Sequence, residues 1–287
     1  MPTWLQLSFK APPEALDTVS NFLLEKGSPG VVLEKNGVRA FFPLTQAKAG
    51  FRRDVQSFHR ALWQIYPALS SQSLRWTLLK DKNWKNSWRR FFAPLEVGES
   101  LWIAPPWAKR SAPARRRAIT IEPGMAFGTG NHFTTRTCLE FIEQTAALFA
   151  PGAYAALDVG TGSGILAIAL AKLKAGKVLA LDVDPIAVKV ATSNVRRNRV
   201  RRIVAVRGVG LDMLSDQFHI VVANLTAETL IELARKLQQT ATNGGYLILS
   251  GILRPKAKAV ARAFRAMTLV RKKSDKEWST LLLRKKG

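Results

Sequence analysis

The sequence predicts a protein of two domains: an α/β domain whose mostly parallel sheet is covered by helices on both faces, and a smaller α+β domain before it. Three observations predict this. From Tyr154 onward apolar strands alternate with helical stretches; a glycine-rich segment, Gly160 to Gly164, separates the first of these strands from a helix; and the first 80 residues carry their own strand and helix pattern. At 287 residues the chain is long enough for one α/β domain of about 150 to 200 residues and a smaller partner.

Trp4 to Phe9 alternates like a strand, Pro12 to Lys26 has helical spacing, and Gly27 to Gly30 stops it. Val31 to Glu34 and Val38 to Phe42 read as a hairpin across Lys35, Asn36 and Gly37. A helix from about Asp54 to Ile65 and a strand from Leu74 to Leu79 complete a β-α-β-β-α-β unit, the ferredoxin-like arrangement, over residues 1–80. In Asp81 to Pro94, Trp84, Trp88, Phe91 and Phe92 fall at helical spacing, so residues 81–95 are expected to form a connecting helix whose aromatics pack.

The larger domain, residues 96–287, is expected to hold strands at Tyr154–Val159, Val178–Val183, Ile203–Val206, Phe218–Ala223 and Tyr246–Ser250. Weaker ones follow near Thr268–Lys272 and Ser279–Leu283. Sheets of this kind take ligands beyond the carboxyl ends of their strands, so the residues just after each strand are the candidates for chemistry.

Composition limits the alternatives. A single cysteine, Cys138, allows no intramolecular disulfide, and with His59, His132 and His219 scattered along the chain no metal site is expected. No window approaches the roughly 18 apolar residues of a membrane helix, so the chain is read as cytoplasmic and soluble. Lys and Arg outnumber Asp and Glu 44 to 20, a net charge of +24. Such a chain is drawn to polyanions, and Arg115, Arg116 and Arg117, or Arg196, Arg197, Arg199, Arg201 and Arg202, could touch phosphate; the plainer reading is a generally basic, solvated surface.

Four places stand out. Asp158-Val159-Gly160-Thr161-Gly162-Ser163-Gly164 lets the backbone approach a ligand, and the helix after it offers N-terminal amides; Ile165, where a dinucleotide fingerprint wants a third glycine, argues against NAD. Asp182, about twenty residues on, can accept hydrogen bonds from both hydroxyls of a ribose, whereas Asp184 before Pro185 suits a helix cap. Pro123 to Thr135 is a loop with three glycines that runs into a helix bearing Cys138, Leu139, Ile142, Ala146 and Phe149, and its free amides suit a carboxylate. Asn224 ends the fourth strand and can accept from an amine.

Together with Trp84 to Trp88, Leu101-Trp102-Ile103-Ala104-Pro105, Val221 to Glu228, Ser250-Gly251-Ile252-Leu253 and Glu277-Trp278, these segments resemble the PrmA family, bacterial methyltransferases of the large-subunit ribosomal protein eleven. The resemblance implies a Rossmann-like, seven-stranded S-adenosylmethionine-dependent methyltransferase domain with one antiparallel edge strand, and an N-terminal domain that grips the ribosomal protein. It also implies cofactor contacts at Thr135, Gly160, Asp182 and Asn224, and methylation of lysine side chains and an α-amino group. The chain is read as a monomer. Asn131 and Phe133 depart from the family's Gly-Thr-Gly-Thr-His-Pro-Thr-Thr, and Asn224-Leu225-Thr226-Ala227 from its Asn-Ile-Leu-Ala; the four contact positions are intact.

Lysine, with a pKa near 10.4, must lose a proton before it attacks a methyl group. Burial and a neighbouring positive sulfonium favour that loss, so no residue is named as a base, His132 included. Two other functions fit part of the sequence. A nucleic-acid (rRNA) methyltransferase would explain the charge, but the Asn-Pro-Pro-aromatic signature is missing at Asn224 and Cys138 is the single cysteine. A non-catalytic binding module would be expected to lose cofactor contacts.

Overall fold

The computed structural model describes residues 4–44, 49–66, 74–79, 93–122, 130, 132–201, 203–207, 211, 214 and 216–287. The aromatic stripe of Trp84, Trp88, Phe91 and Phe92, the loop residues 123–129 and Asn131, and Arg202 lie outside them. The described residues up to Leu79 and those from Ala93 onward belong to two compact units.

In the first unit β1 (Trp4–Lys10), β2 (Val31–Glu34), β3 (Gly37–Pro43) and β4 (Leu74–Leu79) form an antiparallel sheet in the order β2-β3-β1-β4, with helices α1 (Leu16–Glu25) and α2 (Ala49–Ile65). This is the ferredoxin-like order. Alternation in β1 buries Leu5, Leu7 and Phe9, and Leu7 and Phe9 meet Val19 and Leu23 of α1, Val38, Ala40 and Phe42 of β3, and Val55 and Leu62 of α2 in one core. The first helix begins at Leu16 because Pro13 opens a separate 3₁₀ turn, Pro13–Ala15.

The second unit opens with three strands that the periodicity did not single out: β5 (Leu95–Val97), β6 (Leu101–Ala104) and β7 (Arg117–Thr120), with β5 antiparallel and β7 parallel to β6. Arg116 holds them together through the carbonyls of Gly98 (3.1 Å) and Leu101 (2.9 Å) and the carboxylate of Glu96 (3.0 Å). Of the three arginines considered for phosphate, this one is spent inside the fold.

The main sheet comprises β8 (Ala155–Val159), β9 (Lys177–Asp182), β10 (Ile203–Arg207), β11 (Phe218–Asn224), β12 (Ala241–Leu253), β13 (Thr268–Ser274) and β14 (Trp278–Arg284), in the order β10-β9-β8-β11-β12-β14-β13. Helices α3 (Phe133–Ala146), α4 (Ile165–Lys172), α5 (Pro185–Arg197), α6 (Ala227–Glu232), α7 (Ala234–Thr240) and α8 (Ala257–Ala263) complete it. Successive residues point to opposite faces: Ala156, Val222 and Ile248 join a core with α3 and α4, while Leu157, Val221 and Leu247 join a second core with α6, α7 and α8.

The sheet is Rossmann-like, with one difference in detail: its antiparallel strand, β14, lies one place in from the edge, between β12 and β13. The crossover through α8 returns β13 leaving one position open beside β12, and the tight turn at Asp275 folds β14 back into it. Asp275 fixes that turn by accepting from the backbone N–H groups of Glu277 (2.9 Å) and Trp278 (2.6 Å).

Candidate functional site

The carboxyl ends of β9, β8 and β11 lie side by side, which sets Asp182, the Gly160 loop and Asn224 along one end of the sheet at the ordinary strand spacing of about 4.8 Å. The start of α3 reaches the same end: Asn224 Nδ2 donates to Thr134 Oγ1 (3.4 Å) and Ser250 Oγ to the Thr134 carbonyl (3.4 Å), which puts the neighbouring Thr135 there too. Four segments separated in sequence therefore converge on one end of the sheet.

Gly160 turns the chain with φ +73, a left-handed backbone that side chains resist, and a Cβ there would lie 2.4 Å from Leu225 Cδ2. Four of the loop's amides, however, are used within the protein. Gly160 and Thr161 N–H both donate to the Leu181 carbonyl (2.9 Å each), Gly162 N–H to Asp182 Oδ2 (2.8 Å), Gly164 N–H to the Thr161 carbonyl (2.8 Å), and Ala167 N–H to Asp158 Oδ2 (3.1 Å). These donors fix the loop's shape.

Asp182 has two roles. Its Oδ2 anchors Gly162 and its Oδ1 accepts from Asp184 N–H (3.0 Å), while each oxygen keeps a lone pair for a ligand hydroxyl. Asp184 caps α5 by accepting from Ile186 N–H (2.8 Å), with Pro185 at the first helical position. His132 likewise caps α3: Nδ1 accepts from Thr134 N–H (3.3 Å), sits 2.7 Å from Thr134 Oγ1, and the ring meets Trp278 edge-on. That nitrogen is thus occupied.

Two buried side-chain oxygens among the described residues have no hydrogen-bond partner, Thr135 Oγ1 and Asp158 Oδ1. Buried polar atoms are normally paired, so an orphaned hydroxyl at Thr135 is what a ligand-binding position looks like before the ligand is considered. Together with the close backbone approach at Gly160 and the spare lone pairs of Asp182, it gives this end of the sheet the features a bound nucleoside with a polar tail would use.

Asp158, quoted in the glycine-loop motif without a role of its own, is what holds that loop. It is fully buried at the end of β8 and ties both ends of the loop, accepting from Thr161 Oγ1 (2.7 Å) and Ala167 N–H. Burial pushes its carboxyl from 3.8 up to about 7; the bonds from Thr161 and Ala167 hold it down, and the Asp182 charge adds to the rise. Since the folded value lies above the unfolded one, stability is highest below about pH 4 for this group and is lost as pH climbs through 7, at about 1.4 kcal/mol for each tenfold change in proton affinity. Asp158→Asn is expected to flatten that decline between pH 4 and 7 in thermal melts; an unchanged profile would place the titration elsewhere. An acid ending an otherwise apolar strand was the available signal.

Asn194 and Asn198 of α5 and its cap were also missed. Asn194 donates to the Ser163 carbonyl (2.9 Å) and accepts from Glu122 N–H (3.3 Å); Asn198 brackets Thr120 through its N–H (2.8 Å) and carbonyl (2.7 Å). They lock the glycine loop, α5 and β7 into one body. Cys138 is fully buried, which drives its thiol up to about 12 and leaves no thiolate at neutral pH.

The sequence matches the family described as ribosomal protein L11 methyltransferase (PrmA) over residues 3–286. The chain belongs to this family. Relatives named ribosomal protein L11 methyltransferase include that of Citrifermentans bemidjiense, 35% identical over 300 residues and 98% of each chain, and that of Chloroflexus aurantiacus, 36% identical over 329 residues, 99% of this chain and 98% of the other. Among solved structures, the ribosomal protein L11 methylase of Lactobacillus delbrueckii subsp. bulgaricus superposes with a TM-score of 0.63 at 31% identity, over 68% of this chain and 100% of that one. Family membership makes the chain a methyltransferase, and the crevice at the carboxyl ends of β8, β9 and β11 is where a sheet of this order takes its ligand. Among the described residues no helix is long and apolar enough to cross a membrane.

Proposed function

We propose that the protein transfers methyl groups from S-adenosylmethionine to amino groups of ribosomal protein L11, lysine side chains and the N-terminal α-amine. The observation that carries the reading is the convergence of Thr135, Gly160, Asp182 and Asn224 on one end of the sheet in a member of this family. S-adenosylmethionine, when bound, supplies a methyl group activated by attachment to a positively charged sulfur.

The chain's own residues bind and orient. Asp182 accepts from the ribose hydroxyls, the Gly160 backbone lets the nucleoside approach, and the Thr135 hydroxyl takes a polar group of the amino-acid end. Asn224 already donates through Nδ2 to Thr134, which leaves Oδ1 as acceptor for an incoming amine. A desolvated site would disfavour the ammonium form of that amine, so its proton would leave for solvent first, and the part of these residues would be to place the neutral amine.

In the same reading residues 1–80 recognise the protein substrate, 81–95 connect, and 96–287 carry the transfer, in a monomeric cytoplasmic enzyme. The +24 charge suits a substrate met on or near the ribosome and its rRNA. Methyl incorporation into purified ribosomal protein L11, set beside rRNA and followed by mass spectrometry, tests the acceptor; transfer to rRNA alone would overturn it. Asp182→Ala is expected to weaken S-adenosylmethionine binding by about 1.5 to 3 kcal/mol, because ribose bonds and the Gly162 anchor are lost together. Unchanged affinity in a calorimetric titration would remove Asp182 from the site.

A further inference from the structure

The second unit contains basic stretches without acids, and one of them surrounds a groove. From Pro185 to Leu211 the sequence holds seven Lys and Arg residues and no Asp or Glu. This segment is α5, its cap and β10, the strand at one edge of the main sheet. Some surface cations of this unit have carboxylate partners: Lys177 pairs with Asp216, Lys273 with Glu140, and Lys256 with Glu228. On α5, Arg197 pairs with Glu122 at 2.5 Å, whereas Lys189, Arg196, Arg199 and Arg201 are exposed and have no carboxylate within reach among the described residues.

The outer face of the helix is shaped as well as charged. Pro185, Val188, Lys189, Thr192, Ser193 and Arg196 line a shallow groove of about 400 Å³. Lys189 and Arg196 stand two turns apart on it, about 10 Å along the axis.

The end of α5 adds a second feature, shared with the end of α4, where Lys174 takes the left-handed position at φ +73. Arg199 N–H donates to the Arg196 carbonyl (3.0 Å) and Val200 N–H to the Val195 carbonyl (3.5 Å), the paired closure that normally places glycine in the left-handed position. Here that position is Arg199, at φ +53. Cations in the last helical turn, Arg196 and Arg197, are accounted for by the helix dipole; Arg199 and Arg201 lie beyond it, and Arg199 takes a strained backbone where glycine would fit freely.

We propose that this face of α5 and its cap binds the phosphate backbone of structured RNA, with Lys189, Arg196, Arg199 and Arg201 as the phosphate contacts. A duplex carries a negative charge for about every 1.7 Å of axis, so a basic stretch of about 10 Å meets several at once. The 185–201 segment contains no Phe, Tyr or Trp, so it offers no stacking platform for single-stranded bases and reads backbone rather than sequence. The proposal does not depend on which amine is methylated.

The test uses the full-length protein and a fluorescein-labelled RNA hairpin with a 20-base-pair stem (about the size a duplex-binding module spans), followed by anisotropy between about 50 and 200 mM salt. Lys189→Gln, Arg196→Gln, Arg199→Gly and Arg201→Gln combined are expected to weaken binding on the order of tenfold or more at low salt. They should also make the log-log salt slope shallower by about 3, at about 0.7 to 0.9 per lost contact. Arg199→Gly alone is expected to reduce RNA affinity while leaving the melting temperature unchanged or raised, a pairing that a purely structural arginine would not give. Three results would overturn the proposal: an unchanged affinity and slope in the combined variant, an equal loss on neutralising Arg271, Lys272 and Lys276 instead, or competition by polyglutamate as effective as unlabelled hairpin, which would point to an acidic protein.

Discussion

Gly160→Val is expected to reduce S-adenosylmethionine affinity by at least about tenfold and to lower stability by about 2 kcal/mol. Two effects combine. The backbone at φ +73 is one that β-branched residues avoid, and the added Cβ would sit 2.4 Å from Leu225 Cδ2. The contact alone is curable, since a leucine methyl can move or be removed; the backbone is not. Leu225→Ala combined with Gly160→Val should therefore recover some stability and little affinity. Relaxing φ at this point also pulls the N–H groups of Gly160 and Thr161 from the Leu181 carbonyl, and with them the alignment of Gly162 on Asp182. Calorimetric titration and thermal melts of the single and double variants measure both terms, and wild-type affinity in Gly160→Val would show that the ligand does not approach this turn.

A chain beginning at Asp81 is expected to bind S-adenosylmethionine with nearly full affinity yet to methylate isolated ribosomal protein L11 at least about a hundredfold more slowly. The four proposed cofactor positions all lie after residue 130, in a unit whose two cores use residues from Val97 onward, whereas Leu7, Phe9, Val19 and Phe42 pack a core of their own. A crevice that holds a single amine gains little from that amine, so productive placement has to come from contacts made away from the reacting atoms. Mass spectrometry of the acceptor beside a cofactor titration on the same chain separates the two functions. Full-rate methylation would put substrate recognition inside the second unit.

Most strands of the main sheet were legible within one or two residues, β8 stopping just before Gly160 and β9 at Asp182; β12 was not, running Ala241–Leu253 where Tyr246–Ser250 was expected, because the strand continues through Gly244, Gly245 and Gly251, residues that read as turns. Strands β5, β6 and β7 escaped because runs of three and four residues carry no usable period, although Leu101-Trp102-Ile103, buried throughout, had the composition of an internal strand. At the crevice, the glycine loop and the acid after β9 announce themselves by type and spacing. Asp158, Asn194 and Asn198 do not, because their work is to hold backbone groups brought near by the fold, and those partners sit up to 78 positions away. For the same reason the N–H groups of Gly160, Thr161, Gly162 and Gly164 looked available in sequence and are bonded within the protein.

The place of β14 between β12 and β13 has a consequence for synthesis. The neighbour that β12 needs on its outer side is made last, about thirty residues after Leu253. At 5 to 20 residues per second that is an interval of about 2 to 6 s in which Tyr246-Leu247-Ile248-Leu249 presents an apolar strand edge without its native partner. Leu281, Leu282 and Leu283 close it from the other side once they emerge. The speed of elongation beyond Leu253 thus sets how long this edge is open to pairing with a foreign strand, and slower decoding there lengthens the exposure in proportion.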